Sequence, residues 1–318
     1  MSNTYKSKGR SFIKTISNPN HYHNEKNILL LLNKIPLEIS RIKCFDDKEM
    51  TLELDNFDGL DLYYWIQYYS LQKNHITSIF KNILKTLICI SKFKYTFNGK
   101  TYNGIYHCDL KPENICFHLG KPFIIDWGLS YSIPQDIKNT FYIRSGTLLY
   151  TSPQKLLSTS YDYQKNDVWS LGVILFTLIF KIYPYDVNVN KNISPKNYYF
   201  NPIFSFIKAK KWTDYWDLIK RDLEIISLRS QYPNTSIKVL ANYSVNLRKF
   251  YPHFYDSDLR ELIQNMLSYD ESNRYSFEQV YNHPWFNDSC QIDELQRIQD
   301  ICKNIKLSNE HILPTKKN

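Results

Sequence analysis

Four polar residues that could do chemistry lie close together near the middle of the chain: Asp109, Lys111, Asn114 and Asp126. Carboxylate and amide oxygens suit Mg²⁺, and a lysine ammonium stabilises charge on a phosphoryl group. Phosphoryl transfer needs little covalent chemistry from a protein, so carboxylates that hold metal-bound phosphates and orient an acceptor hydroxyl are enough for it. The spacing alone does not decide the matter, because a nearby Asp and Asn also satisfy the backbone amides of an ordinary turn.

The neighbouring residues favour a catalytic function over a turn. Residues 107–114 have the sequence HCDLKPEN, and a strand-like segment at 122–125 leads into Asp126-Trp127-Gly128. This pattern resembles the HRDLKPEN catalytic loop and the DFG motif of eukaryotic protein kinases, with Cys108 as the departure within the loop.

The resemblance implies a role for each of the four polar residues. Asp109 and Lys111 are catalytic: Asp109 positions the substrate hydroxyl, and Lys111 stabilises the transferred phosphoryl group. Asn114 and Asp126 hold Mg²⁺. The implied cofactors are ATP and Mg²⁺, and the implied activity is transfer of the γ-phosphate to protein hydroxyls.

Further segments of the same family follow in the same order and extend the resemblance over almost the whole chain. They resemble the end of the activation segment, the start of the central helix and the two short motifs that close a kinase domain. These segments are GTLLYTSPQ at 146–154, DVWSLG at 167–172, DESNR at 270–274 and HPWF at 283–286. Each alone would indicate only a buried helix start or an aromatic core contact, but their shared order excludes coincidence.

Particular residues refine the resemblance. Lys111 and Thr147 together resemble the serine/threonine branch of the family, so the implied partner is a protein substrate with a Ser or Thr acceptor. Cys108 stands where many relatives have an arginine that pairs with a phosphate on the activation loop. Gln154 stands where the family has a glutamate that pairs with the arginine matched here by Arg274.

The N-terminal residues resemble the part of a kinase that holds the phosphates of ATP. Residues 5–14, YKSKGRSFIK, resemble its second and third strands, so Lys14 corresponds to the phosphate-binding lysine and Lys6 is the alternative. Glu25, on the predicted helix that follows, corresponds to the glutamate that pairs with this lysine. Without the resemblance, a Lys and a Glu near a helix start would be simply solvated.

The resemblance also assigns residues to the adenosine part of ATP. Residues 55–59 correspond to the hinge, with Asp55 and Phe57 as cofactor-binding residues. Asp61 lies where the family often places an acidic ribose contact, and Cys116 would lie beneath the adenine. By residue type alone, a strand end, a helix cap and a core cysteine are equally good interpretations of these positions.

No G-x-G-x-x-G pattern precedes Lys14 in this sequence, so we expect the first strand and the Gly-rich loop of the family to be absent. That loop covers the phosphates and excludes water. Two functions therefore stay open: an active serine/threonine kinase, and a pseudokinase that keeps the fold as a binding scaffold without efficient phosphotransfer.

Composition limits the other functions. The chain has 318 residues, of which 43% are hydrophobic and 22% charged, so it is neither wholly disordered nor collagen-like. Its net charge of +9 is spread along the chain, which disfavours nucleic acid as a partner. The longest apolar stretch, 168–180, is too short to cross a bilayer. Six cysteines without CxxC spacing are expected to be free thiols, and the polar N-terminus predicts an intracellular protein.

The resemblance and the hydrophobic periodicity together predict an α+β, bilobal protein-kinase-like fold. A reduced, strand-rich N-lobe at 1–57 precedes a large helical C-lobe at 58–290, and 291–318 form a C-terminal helix and a polar tail. Helices are predicted from Asn18, at 60–69, 76–93, 167–182, 204–223 and 258–267, with a polar insertion at 97–104 and a loop at 186–196.

Overall fold

The computed structural model describes residues 4–9, 11–57, 59–97, 99–135, 146–157, 160–184, 207–231 and 256–312. Its first residues form a four-stranded antiparallel sheet with the order β1-β2-β4-β3. The strands are β1 (Thr4–Lys8), β2 (Ser11–Thr15), β3 (Ile42–Asp46) and β4 (Thr51–Asp55). A turn follows β3, because the Asp46 carboxylate accepts the amides of Lys48 and Glu49.

Helix α1 (Pro19–Leu32) crosses this sheet. It begins at the predicted residue, since the Asn18 side chain accepts the amides of Asn20 and His21, and Pro19 has no amide hydrogen to satisfy. The helix face that carries Tyr22, Glu25, Leu29 and Leu32 is buried, and this orients one charged residue, Glu25, into the interior.

A tight connection joins the sheet to the helical part of the molecule. A Cβ on Gly59 would lie 1.6 Å from the Phe117 carbonyl oxygen, so only glycine fits there. Helices α2 (Leu62–Tyr68) and α3 (Lys73–Ser91) follow, and α3 buries most of its apolar residues.

Two small sheets carry the loops that the sequence motifs occupy. One has the order β5-β6-β9, with strands Lys94–Phe97, Lys100–Tyr106 and Tyr131–Pro134; the other pairs β7 (Ile115–His118) with β8 (Lys121–Ile124). The prediction of a polar insertion at 97–104 is therefore wrong. Segments in which aromatic and polar residues alternate flank an Asn-Gly pair there, and this pattern is the strongest short-range signal for a β-hairpin. Gly99 has a φ of +73°, the positive value that such a turn requires.

Helix α5 (Tyr163–Phe180) is the core of the larger lobe, and nearly every residue of it is buried. It begins before the predicted start at 167, because the Asp162 side chain accepts the Lys165 amide and caps it. The short α4 (Pro153–Leu157) precedes it, and later helices are α6 (Trp212–Gln231), α7 (Ser257–Met266), α8 (Phe277–Tyr281) and α9 (Ile292–Ile312). Helix α6 itself begins at Trp212, after a break at 209–211, and the predicted start at 204 lies outside the described residues. The predicted loop at 186–196 lies outside the described residues.

A small strand-rich lobe and a larger helical lobe are thus both present, as the α+β expectation required. Among the described residues, none of the helices has the length and apolar character needed to span a membrane.

Candidate active site

A cleft of about 290 Å³ lies between the four-stranded sheet and the helical lobe. Residues from the sheet, from α1 and from the two motif loops line it. Most of the predicted site residues are among them: Lys14, Glu25, Asp55, Phe57, Asn114, Cys116 and Asp126. Residues separated by up to 112 positions along the chain therefore meet in one cleft.

The Lys14 side chain ties the two lobes together. Its Nζ lies 2.8 Å from both carboxylate oxygens of Glu25 and 2.8 Å from Oδ1 of Asp126. Lys14 and Glu25 are almost fully buried, whereas the Asp126 side chain is 40% exposed. The short spacing between Lys14 and Glu25 in sequence is thus sufficient for a direct ion pair.

Burial and charge act against each other in this cluster. Burial by itself would lower the pKa of Lys14, but the two carboxylates outweigh it and raise that pKa above the ordinary value. Burial raises the pKa of Glu25, and Lys14 works against this rise. For Asp126, burial also favours the neutral acid, yet the Lys14 ammonium keeps its pKa below the ordinary value. A carboxylate with a lowered pKa is negatively charged and can hold a cation.

The same cluster explains why the DWG motif has a glycine at its third position. A Cβ on Gly128 would lie 2.9 Å from Oε2 of Glu25. The Trp127 side chain is fully buried beside the His107 ring, and its indole nitrogen donates to the Ile124 carbonyl. Trp127 therefore anchors the loop that presents Asp126.

Asp109 and Lys111 lie on the loop between β6 and β7, beside the residues that line the cleft. Oδ1 of Asp109 accepts the Thr147 amide at 2.7 Å, and Oδ2 lies 3.4 Å from Nζ of Lys111. Nζ of Lys111 in turn donates to the Thr147 hydroxyl at 3.0 Å. In the sequence, Thr147 indicated only the serine/threonine branch. Its contacts with both predicted catalytic residues were not predicted.

Asn114 has the geometry of a metal ligand that is already oriented. Its amide nitrogen donates to the Asp109 carbonyl oxygen at 2.9 Å, so its amide oxygen is left to act as a ligand in the cleft that Asn114 lines. Together with the charged Asp126 carboxylate it makes an all-oxygen donor set, which fits Mg²⁺. Both side chains therefore fit the Mg²⁺ that the resemblance implies.

Two buried side chains, those of Asp167 and His107, hold the backbone of the catalytic loop in place by hydrogen bonds. The Asp167 carboxylate accepts the amides of His107 and Cys108, each at 2.9 Å. Burial raises the pKa of Asp167 to about 7, although these two amides favour its charged form. Burial also lowers the pKa of His107, whose Nδ1 accepts the Asp109 amide while Nε2 faces the Ile125 carbonyl. A neutral imidazole with the proton on Nε2 satisfies both contacts.

The residues predicted at the adenosine end have different surroundings. Cys116 and Phe57 both line the cleft, and burial raises the pKa of the Cys116 thiol to about 12. Asp55 lines it too, with its carboxylate 3.3 Å from Nζ of Lys43. Asp61 is not among the described lining residues; it is the N-cap of α2, where Oδ1 accepts the Tyr64 amide. Asp61 therefore caps α2, and its contact with a ribose stays a prediction.

Comparison with known proteins agrees with this geometry. The family model described as the protein kinase domain matches residues 5–286, so the chain belongs to the protein kinase family.

Curated relatives match parts of the chain. Sperm motility kinase 3A of Mus musculus is 34% identical over 161 residues, which cover 50% of this chain and 30% of that protein. A probable serine/threonine-protein kinase, MARK-A of Dictyostelium discoideum, is 28% identical over 202 residues, or 63% of this chain and 14% of that protein. CBL-interacting protein kinase 30 of Oryza sativa subsp. japonica is 37% identical over 115 residues, or 34% and 24%. The matched part thus spans less than a third of the length of each of these relatives.

Proposed function

We propose that this chain is a serine/threonine protein kinase that transfers the γ-phosphate of Mg-ATP to protein hydroxyls. One observation carries the proposal: Lys14 in the sheet is bonded at 2.8 Å both to Glu25 and to Asp126 of the DWG motif. A kinase needs this lysine–glutamate pair and this aspartate to be in place at the same time. The names of the relatives described above add support for the serine/threonine class.

Each side chain has a task in this proposal. Lys14 binds the phosphates, and Glu25 fixes its ammonium. Asn114 and Asp126 hold Mg²⁺, which neutralises charge on the phosphates when it is bound. Asp109 accepts a hydrogen bond from the acceptor hydroxyl and orients its oxygen for attack, and Lys111 stabilises negative charge on the transferred group.

The adenosine end and the lobe boundaries belong to the same proposal. Asp55 and Phe57 in the hinge, and Cys116 below them, form the adenine pocket, and Asp61 contacts the ribose through the carboxylate oxygen that does not cap α2. The small lobe is residues 1–57, the large lobe is 58–290, and 291–318 are an appended helix and tail.

Transfer of labelled γ-phosphate from Mg-ATP to a generic Ser/Thr substrate, followed by identification of the labelled amino acid, tests this function. Asp109→Asn is expected to lower transfer by at least 100-fold with nucleotide binding retained, because the carboxylate positions the acceptor. Asp126→Asn, or a chelator, is expected to weaken both transfer and nucleotide binding.

Asp288→Asn is the matched control, since this carboxylate is 68% exposed and its partner is Lys73 at the surface. It should leave transfer unchanged. Full activity in Asp109→Asn would refute the catalytic assignment. Metal-dependent nucleotide binding without any transfer in the unaltered chain would identify a pseudokinase scaffold instead.

A further inference from the structure

Lys155 is a lysine in an unusual place. It lies in α4, directly after the motif at 146–154, and only 1% of its surface is exposed. Lysine is almost never fully buried unless it is paired, because removing an ammonium from water is costly. Its Nζ donates to the carbonyl oxygen of Cys108 at 2.5 Å, so the buried charge contacts the catalytic loop.

Cys108 is the residue of that loop that most needs support. Its φ is +64°, a conformation that residues with a side chain rarely adopt and that persists only where the surroundings impose it. The Cys108 amide donates to Asp167 at 2.9 Å, while the Cys108 carbonyl accepts from Lys155. A buried carboxyl group and a buried ammonium therefore hold the two polar groups of this strained backbone.

The carbonyl that Lys155 holds belongs to the same peptide group as the amide nitrogen of Asp109. That amide donates to Nδ1 of His107 at 3.2 Å. This peptide plane sets the positions of the nitrogen and Cα of Asp109, so holding it limits the directions in which the Asp109 side chain can leave the backbone. Lys155 therefore acts on the proposed catalytic carboxylate through one planar group.

A second contact leads to the same carboxylate. A Cβ on Gly146 would lie 3.1 Å from Nζ of Lys155 and 3.4 Å from Oδ1 of Asp109. Gly146 has a φ of +123°, and the next residue, Thr147, donates its amide to Oδ1 of Asp109. The Lys155 ammonium and the Asp109 carboxylate therefore both border the space that a side chain on this glycine of the activation segment would occupy.

The side chain of Cys108 does not supply a positive charge to the catalytic loop. The thiol is buried against Tyr161 and Tyr163, and burial raises its pKa, so it is neutral. The arginine that the family resemblance implies at this position would have placed a positive charge on the loop itself. In this chain, α4 supplies the positive charge.

We propose that Lys155 is a positioning residue for phosphoryl transfer, whose buried ammonium holds the Cys108–Asp109 peptide and so orients the Asp109 carboxylate toward the acceptor hydroxyl. This role rests on the proposed kinase function, and it adds a residue that belongs to none of the motifs. The charge that holds the catalytic loop is the Lys155 ammonium, which is part of the folded chain itself.

The test compares Lys155→Met with Lys81→Met. Methionine keeps the length of the side chain and removes its charge. Lys81 is the matched control, because its Nζ also donates to a backbone carbonyl at 2.5 Å, that of Tyr281, between α3 and α8. Lys155→Met is expected to lower kcat at least tenfold, since small misplacement of a reacting group costs up to about 100-fold. KM for the peptide and the dissociation constant of Mg-ATP should stay within twofold.

Amide hydrogen exchange makes the proposal testable even if the unaltered chain transfers no phosphate. Lys155→Met should speed exchange in the peptide that contains His107, Cys108 and Asp109, and Lys81→Met should not. Should Lys155→Met fail to fold, Lys155→Gln, which keeps a neutral donor, replaces it in both measurements. Unchanged exchange in this peptide, or an unchanged kcat in an active enzyme, would overturn the positioning role. Absence of transfer in the unaltered chain would instead refute the kinase proposal alone.

Discussion

Replacement of Lys14 by methionine should destabilise the protein and make its stability depend on pH. The variant leaves Glu25, which is 1% exposed, without the ammonium that bonds both of its oxygens. Removal of one partner from a buried ion pair costs about 3–5 kcal/mol, because the other charge stays buried. Asp126 adds little to this cost, since its side chain is 40% exposed and water can solvate it.

The sign of the pH dependence follows from the pKa of Glu25. Burial already raises this pKa, and the loss of Lys14 removes the charge that opposes the rise. A carboxyl whose pKa is higher in the folded than in the unfolded state stabilises the fold at pH values below its unfolded pKa. This stability is lost as the pH rises through the folded value. Lys14→Met should therefore be more stable at pH 5 than at pH 8, with a slope of up to about 1.4 kcal/mol per pH unit.

The unaltered protein should show a smaller slope over this range. Its Lys14 has a raised pKa, so the contribution of Lys14 is lost only as the solution becomes strongly alkaline. Its Asp126 has a lowered pKa, so that contribution is lost only in acid, as the pH falls through the folded value. Neither change lies between pH 5 and pH 8.

Thermal unfolding followed by circular dichroism, without nucleotide or metal, measures both effects. At about 2 °C per kcal/mol for a chain of this size, Lys14→Met should lower Tm by roughly 6–10 °C at pH 8. The double variant Lys14→Met/Glu25→Gln removes the unpaired charge, so it should recover most of the loss and return the slope to that of the unaltered protein. Lys92→Met, which breaks the exposed pair with Glu278, is the control and should change little. A loss below about 1 kcal/mol, or an equal loss at pH 5 and pH 8, would refute the reasoning.

Two further predictions concern the large lobe and the cysteines. The Gln154 side chain accepts from Arg274 at 2.8 Å and donates to the Tyr269 carbonyl. Gln154→Glu exchanges a neutral bond for a charged one but loses the second contact, so the net gain should be at most about 1 kcal/mol, seen as a small rise in Tm; a clear fall would show that desolvation and the lost bond dominate. Iodoacetamide at pH 7.5 should label the exposed Cys44 and Cys89 and spare Cys108 in the folded protein, because burial raises the Cys108 pKa. Mass spectrometry reads this directly, and early labelling of Cys108 would contradict its place in the tyrosine cluster.

The sequence predicted the fold class because several motifs of one family occur in one order. Local signals fixed the details where they were strong, as at Asn18 and Pro19, which begin α1 as predicted. The start of α5 was misplaced because the motif at 167–172 lies inside the helix, whereas the Asp162 cap sets its beginning. The hairpin at 94–106 was not predicted, because its many polar residues indicated a loop although the Asn-Gly pair in its sequence favours a hairpin.

The site was predicted in its residues more than in its contacts. Lys14 and Glu25 were identified through the family resemblance, as residues of a strand and of the helix that follows it, and they do meet. Asp61 shows the limit of residue type, since a carboxylate before a helix can be a cap, a ligand or both; it caps α2, and its ribose contact stays a prediction. Lys155 carried no signal at all, because lysine is usually exposed and its burial depends on α4 packing under the catalytic loop.

The backbone conformation at the site explains why the orientation of these side chains could not be predicted from the sequence. Cys108 and Asp126 have φ values of +64° and +60°, in the left-handed region that favours glycine. Each such residue costs on the order of 1–3 kcal/mol and is retained only where surrounding contacts impose it. Asp167 and Lys155 impose it at Cys108, and Lys14 bonds the carboxylate of Asp126. All three contacts come from distant parts of the chain, whereas local propensity at either residue favours another conformation. A motif can therefore locate the reacting groups, but their orientation is a property of the packed tertiary structure.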